Sequence, residues 1–206
     1  MDKIDFPGLE KYARGIGSDG VWRSPRFANY KIAEKCIDGL ATKYSTALVN
    51  CGELRAFIPG CFDASLRDNK DIQFLIQHDA ANCIGSTRTN LTIVDDGEVG
   101  LAFRLRVPNT MPGQIAARMV ENGNRAGMSI GYSILEDEVH CLAGHQVRLI
   151  TRATLSELSL VRAGAVRRAF ATVVDGARTP APRAGNMSVD WKFANCIHKL
   201  NLANAA

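Results

Sequence analysis

An Asp-Gly pair between two alternating runs is the local feature that most limits how this chain can fold. Apolar residues occupy every second position from 99 to 107, and a shorter apolar run covers 91–94. Asp96-Gly97 between them is a strong hairpin signal, because a tight turn between antiparallel strands needs residues that accept a positive φ. The pattern therefore predicts an antiparallel β-hairpin and favours a sheet-based fold.

Period-two alternation recurs in three further segments, as expected of strands whose two faces differ. These segments cover residues 72–78, 128–134 and 154–161. Residues 82–85 are expected to form the turn that leaves the first of them. Shorter strands are also expected over 45–49, 54–58 and 146–150, and a loop over 137–144.

Helical patterns are confined to short stretches with apolar residues four positions apart. They cover 27–40, 61–69 and 114–122, and the last ends before a glycine, a residue type favoured just after a helix. The chain is therefore predicted to have an α+β fold, with a mostly antiparallel β core and a few flanking helices.

Composition and local character divide the chain into three parts. With 206 residues, 46% of them hydrophobic, the chain can bury one sizeable core, and we expect one domain over 46–174. Residues 1–45 are predicted to form a partly flexible N-terminal arm. Residues 175–206 are predicted to form a flexible C-terminal tail that begins with a stretch rich in Gly, Pro, Ala and Arg. A short helix is expected in this tail, near 191–202.

The charge distribution indicates no specific partner. The formal net charge is +4, and the segment from Arg152 to Arg183 holds six arginines against two acidic residues. Scattered arginines most often face solvent, and no aromatic interleaving or base-reading motif accompanies these. No specific nucleic-acid binding is therefore predicted.

The sequence indicates neither a membrane anchor nor a metal site. No apolar run is long enough to span a bilayer, and the first ten residues carry charges where a signal peptide needs its apolar region. The six cysteines form no Cys-x-x-Cys pair, and no histidine lies at metal-ligand spacing from them. We expect a soluble cytosolic protein with reduced thiols and without a metal or cofactor.

Ser129 is the first of three residues whose side chains could take part in catalysis. In Gly127-Met128-Ser129-Ile130-Gly131-Tyr132, the apolar side chains share one face of the predicted strand and the small residues the other. Gly131 leaves space beside the serine hydroxyl, so that another backbone or a substrate strand can approach. The alternative is an ordinary strand with a spare hydroxyl and a packing glycine.

His78 and Glu157 are the other two. His78 continues the more apolar face of the strand over 72–78, where a core histidine with satisfied ring nitrogens is the alternative to a catalyst. Glu157 is predicted to share one strand face with Leu155 and Ser159. A desolvated carboxylate must be paired, hydrogen-bonded or protonated. The alternative is an edge-strand glutamate that faces water or pairs with a neighbouring arginine, Arg152 or Arg162.

Serine, histidine and glutamate are the side chains that a nucleophilic triad requires. A serine hydroxyl is a poor nucleophile unless a base takes its proton, and the base works best when a third group fixes its tautomer. Chain order does not decide whether these residues meet, because such triads occur in several orders. The local string Gly-Met-Ser-Ile-Gly lacks the Gly-x-Ser-x-Gly elbow, which argues against an α/β-hydrolase.

Four short blocks carry a family resemblance that covers residues 57 to 174. They are Ile58-Pro59-Gly60-Cys61-Phe62, Phe74-Leu75-Ile76-Gln77-His78-Asp79 with Ile84-Gly85, Gly127–Tyr132, and Leu155–Val161. In this order and at these intervals, they resemble the prohead maturation proteases of tailed bacteriophages, which are related in fold to herpesvirus assemblin proteases. Two regions depart from the family: the first forty residues, which do not match, and Arg162-Ala163-Gly164-Ala165, where a Pro-Ala-containing turn is usual.

The resemblance implies an assemblin-like, β-barrel-like core and a serine endopeptidase. By that resemblance, Ser129 is the nucleophile, His78 the general base, and Glu157 the residue that orients the histidine. The implied substrates are the scaffold, the N-terminal region of the major capsid protein and the protease itself, inside the prohead in the host cytoplasm. The sequence does not decide whether the chain forms a homodimer, as the assemblins do.

Two other interpretations stay open. A catalytically inactive scaffolding or assembly module could keep the same fold. A cysteine hydrolase would use Cys83 or Cys141 as its nucleophile. The backbone donors of an oxyanion hole are not identified by the sequence; Arg125 and Arg162 are candidates for assisting there, or ordinary surface arginines.

Overall fold

The computed structural model describes residues 34–45, 48–50, 52–68, 70–97, 99–123, 127–142, 145–162 and 169–174. Several predicted features lie outside these ranges. They are most of the N-terminal arm, the C-terminal tail with its helix near 191–202, and Arg125. Among the described residues, no helix is both long enough and apolar enough to cross a membrane.

The described residues form ten strands and two helices. The strands are β1 (Cys36–Lys43), β2 (Leu48–Asn50), β3 (Glu53–Phe57), β4 (Gln73–Ile76), β5 (Asp79–Ser86), β6 (Leu91–Asp95), β7 (Gly100–Arg106), β8 (Gly127–Leu142), β9 (His145–Val161) and β10 (Phe170–Val174). The helices are α1 (Asp63–Arg67) and α2 (Met111–Glu121). A sheet-rich α+β fold is therefore confirmed, although the sheet does not close into a barrel within the described ranges.

Strand β9 lies at the centre of the region that carries the candidate site. Neighbouring strands follow the order β2-β3-β9-β8-β10-β1-β7-β6, and β4 pairs with both β5 and β9. β3 and β4 run parallel to β9, whereas β8 runs antiparallel to it along its whole length. Residues of β4, β8 and β9 that are far apart in the sequence are thereby brought side by side.

The predicted hairpin and the helix predicted over 114–122 are both present. β6 and β7 pair from Leu91 opposite Leu105 to Asp95 opposite Leu101, and Gly97 in their turn has φ 60°. Helix α2 begins after Thr110, whose hydroxyl accepts a hydrogen bond from the backbone N–H of Gly113 at 3.3 Å. This side-chain cap satisfies one of the free donors at the helix start.

The helix predicted over 27–40 is wrong for residues 36–40, which lie in β1. This strand pairs with β7 on one side and β10 on the other, and seven of its eight residues are buried. Asp38 of β1 accepts hydrogen bonds from the guanidinium of Arg104 on β7, the two shortest at 2.9 and 2.6 Å. Burial between two strands outweighs the weak local helical periodicity, because propensity is a small term compared with packing.

Strands also replace a predicted loop and a predicted turn. The loop expected over 137–144 is replaced by the continuation of β8 to Leu142, and β9 begins at His145 as one long strand instead of two. The turn expected at 82–85 lies inside β5. In both places a cross-strand partner supplies the backbone hydrogen bonds that make a polar sequence extended.

A β-bulge at Ser156 changes which residues of β9 share a face. Gly131 lies opposite Glu157, but the next residue, Tyr132, lies opposite Leu155. Leu155 consequently packs in the hydrophobic core, away from Glu157, and the predicted alternation through Leu155 is wrong. Leu155 therefore faces the core, whereas Glu157, two residues further along, faces the candidate site.

The core lies behind the β8 and β9 face that carries the candidate site. Met128, Leu158 and Leu160 are all fully buried there. Phe57 packs against Tyr132 with ring centroids 4.9 Å apart in an edge-to-face arrangement. These contacts hold the backbone of both strands, so the residues between them are presented on a rigid support.

Candidate active site

His78 lies in the two-residue turn between β4 and β5. Ile76 pairs with Asp79, and the two residues between them, Gln77 and His78, have φ values of 58° and 60°. A pair of positive φ values suits the twist of a two-residue hairpin, but left-handed backbone is unfavourable by about 1–2 kcal/mol per non-glycine residue. The expectation that His78 extends an apolar strand face is therefore corrected. Its side chain is 47% exposed, so it is not a core histidine.

Strand β9 holds this turn in place through two backbone contacts. The N–H of Gln77 donates to the carbonyl oxygen of Leu160 at 3.0 Å. The N–H of His78 donates to the hydroxyl oxygen of Ser159 at 3.1 Å. The parallel pairing of β4 with β9 places the turn at this height, because Ile76 lies beside Leu160.

Glu157 and His78 are in direct contact. Oε1 of Glu157 lies 2.5 Å from Nδ1 of His78, and the glutamate side chain is only 13% exposed. The other carboxylate oxygen, Oε2, accepts a hydrogen bond from the Ser159 hydroxyl at 2.6 Å. Arg152 instead pairs with Glu136 on β8, so the prediction's alternative of an Arg152–Glu157 pair is wrong.

Gly131 makes room for that carboxylate. A Cβ atom on residue 131 would lie 2.6 Å from Oε1 of Glu157 and 2.9 Å from the Ser156 hydroxyl oxygen. Real Cβ contacts do not reach such distances without a shift of the neighbour. The sequence indicated a close approach at this glycine, and the structure identifies the approaching group as the Glu157 side chain.

Ser129 lies on β8 directly opposite Ser159 of β9. Directly opposite residues share one face of an antiparallel pair, so the serine belongs to the same face as Ser159. Ser129 and His78 both line a cavity of about 220 Å³. The remaining lining residues are Ala41, Thr42, Leu48, Asn50, Phe57, Met128, Ile130 and Tyr132.

The structure thus brings His78 and Glu157 into contact, and it places Ser129 in a cavity that His78 also lines. His78 contacts Glu157, whereas no hydrogen bond within the described part of the chain links the Ser129 hydroxyl to the His78 ring. Because the carboxylate occupies Nδ1, Nε2 is the ring nitrogen left to accept a proton. The arrangement can polarise an imidazole beside a serine hydroxyl.

Other candidates from the sequence lie away from this cavity. Cys83 is exposed, and its thiol donates to the carbonyl oxygen of Gly85 at 3.4 Å. Cys141 is exposed near the end of β8, and neither thiol lines the cavity. Arg162 is also exposed. Across the described ranges, no group of three or more His, Cys, Asp and Glu side chains is arranged to hold a metal ion.

Residues 27–179 match the family of caudovirus prohead serine proteases. The chain belongs to that family. The match begins well before residue 57, so the expectation that the first forty residues lie outside the family is wrong for 27–40. No curated protein sequence matches the chain at the level required to count as a relative.

A prohead serine protease acts in phage capsid maturation, and the family match supports this hydrolase class for the chain. Because a serine protease requires a serine nucleophile, the family match does not support Cys83 or Cys141 as the attacking group. The sequence interpretation gave Ser159 no role of its own. Its position two residues after Glu157, on the same predicted face, was the signal that could have identified it.

Proposed function

We propose that this prohead protease is a serine endopeptidase in which Ser129, His78 and Glu157 form the catalytic triad. The observation that carries the proposal is the 2.5 Å contact between His78 Nδ1 and Glu157 Oε1, beside a cavity that Ser129 also lines. A carboxylate at Nδ1 fixes the tautomer in which Nε2 can act as a base, and it stabilises the imidazolium that forms.

The proposed reaction has two halves. The Ser129 oxygen bonds to the scissile carbonyl carbon while His78 takes the hydroxyl proton, and the C–N bond then breaks as that proton passes to the leaving amine. Water repeats the sequence on the acyl-enzyme and restores Ser129. Backbone N–H groups stabilise the oxyanion, and one such donor typically contributes ~10²–10³ in rate.

The proposed substrates are capsid-assembly proteins, and the family match supports this class. They are the scaffold, the N-terminal region of the major capsid protein, and the parts of the protease's own segments 1–45 and 175–206 that lie outside strand β1, with cleavage inside the prohead in the host cytoplasm. We assign the protease domain to 46–174, together with strand β1 from the preceding arm. An assemblin-like fold and a homodimer belong to the same proposal.

Co-expression with the cognate major capsid protein and scaffold tests the proposal. Ser129→Ala should abolish the appearance of shortened capsid protein, as measured by intact-protein mass spectrometry. Ser133→Ala, at an exposed serine of the same strand, is the matched control and should process normally. Unchanged processing by the Ser129→Ala variant would show that Ser129 is not the nucleophile. Assembly without cleavage by both wild type and variant would instead indicate an inactive scaffolding module.

A further inference from the structure

We propose that Ser159 is a positioning residue that aligns His78 and Glu157 for catalysis. The inference rests on the proposed function, because it assigns a role within the same site. Ser159 is fully buried on β9, and its hydroxyl contacts both residues. It donates to Oε2 of Glu157 at 2.6 Å and accepts the backbone N–H of His78 at 3.1 Å.

The two contacts use opposite properties of one hydroxyl. An amide N–H can only donate, so the oxygen of Ser159 must accept from His78, and its single proton is free to bind the carboxylate. Oε2 of Glu157 is thereby occupied, which leaves Oε1 to contact the imidazole. A hydrogen bond to a carboxylate is stronger than one between neutral groups, so this hydroxyl restrains the rotation of the glutamate.

The turn that carries His78 needs such a restraint. Gln77 and His78 both have positive φ, and residues held in sparsely populated backbone regions persist only where their surroundings impose them. The Ser159 hydroxyl supplies the partner for the His78 N–H in this turn. The Ser159 hydroxyl therefore fixes the backbone from which the His78 side chain extends, and it also fixes the carboxylate that contacts the imidazole.

The register of the sheet explains why residue 159 can do this. Ser159 lies between Leu75 of β4 on one side and Ser129 of β8 on the other. β4 leads directly into the His78 turn, and β8 carries the proposed nucleophile. Residue 159 therefore lies on the same strand as Glu157, and it neighbours both the strand that leads to His78 and the strand that carries Ser129.

A fluorophosphonate probe tests the inference without a known peptide substrate. With purified full-length protein, the Ser129 oxygen bonds to phosphorus, fluoride leaves with the P–F electron pair, and His78 takes the hydroxyl proton. The measured quantities are the maximal inactivation rate, kinact, and the half-saturating probe concentration, KI. Ser159→Ala should lower kinact about ten- to a hundredfold, the range lost with a hydrogen bond to a charged group, and leave KI unchanged.

Ser65→Ala is the matched control. Ser65 is also a buried serine, and its hydroxyl accepts the backbone N–H of Leu155 at 2.9 Å, outside the site. The control should lose stability but keep the wild-type kinact. If Ser159→Ala does not fold, Ser159→Cys, which has nearly the same shape and a weak donor and acceptor, carries the same test.

Proton NMR of the imidazole gives a second readout. The Nδ1 proton of His78, assigned by its loss in His78→Gln, should shift in Ser159→Ala and stay in place in Ser65→Ala. A Ser159→Ala variant with wild-type kinact and an unmoved signal would overturn the positioning role while the triad stands. Labelling of the Ser129→Ala variant at the wild-type rate would overturn the proposed function itself.

Discussion

The carboxylate of Glu157 lies in the space that a side chain on residue 131 would fill. A Cβ on Gly131 would approach Oε1 of Glu157 to 2.6 Å, and the same oxygen contacts His78. The contact between His78 and Glu157 therefore requires that residue 131 of β8 has no side chain. Gly131, two residues after Ser129, makes room for the Glu157 carboxylate and not for the serine hydroxyl itself.

Gly131→Ala should therefore reduce activity more than stability. The new methyl group displaces the Glu157 carboxylate, which is the flexible partner, and breaks its alignment with His78. We expect kinact toward the fluorophosphonate probe to fall by about tenfold or more, since one hydrogen bond to a charged group is lost. The control is Gly85→Ala, where a Cβ would approach Asn90 Oδ1 to 2.3 Å, outside the site. Equal kinetic losses in both variants would contradict the explanation.

Glu157→Gln tests the charge at nearly constant shape. The amide cannot stabilise an imidazolium and permits the wrong histidine tautomer, so activity should fall by up to about 10⁴. Glu136→Gln is the control, because Glu136 pairs with Arg152 on the exposed side of the same sheet. Measured capsid-protein processing should stop in the first variant and continue in the second. Normal processing by Glu157→Gln would exclude the glutamate from the mechanism.

Gln77→Asn should stabilise the turn without a loss of activity. Asparagine accepts positive φ more readily than glutamine, and it is favoured at the first position of two-residue hairpin turns. The backbone hydrogen bond from residue 77 to Leu160 is kept. We expect the free energy of unfolding in urea to rise by about 0.5 kcal/mol. A decrease would show that the Gln77 side chain itself supports the turn.

Asp95 should make stability depend on pH. Burial raises the pKa of its carboxyl, and the Tyr44 hydroxyl, which donates to it at 2.6 Å, partly opposes that rise. Because the folded-state pKa is raised, the contribution to stability is complete below about pH 3.9, the usual value, and is lost as the pH rises through the folded-state pKa. Urea unfolding between about pH 4 and 7 should show wild type losing stability relative to Asp95→Asn. A difference that grows in favour of wild type over this range would contradict the sign.

Asp38→Ala tests whether β1 belongs to the folded domain. Asp38 and Arg104 form a buried pair between β1 and β7, and Asp38→Ala removes the carboxylate that this buried guanidinium contacts. The free energy of unfolding should fall by about 3–5 kcal/mol. Glu53→Ala, at a more exposed pair with Arg55, should change it far less, because solvent screens the attraction between exposed charges. Similar small effects from both would mean that the arm contributes little to the core.

Local sequence predicted those elements whose strand or helix signal is complete within a few residues. The β6–β7 hairpin follows from an Asp-Gly pair between alternating runs, and α2 follows from four-residue spacing. β1 could not be recognised in this way, because its burial comes from β7 and β10, which lie far along the chain. The same holds for the long continuation of β8, whose partners are residues of β9.

The residue types of the candidate site came from the sequence: a serine between small residues, a histidine after an apolar run, and a glutamate within a strand. Family resemblance suggested their roles, and the match over residues 27–179 shows the family. Periodicity could not determine that β4 runs parallel to β9 or that a bulge at Ser156 turns Glu157 away from the core. Strand pairing and register depend on contacts between distant segments, so only the tertiary structure decided that His78, Glu157 and Ser159 touch.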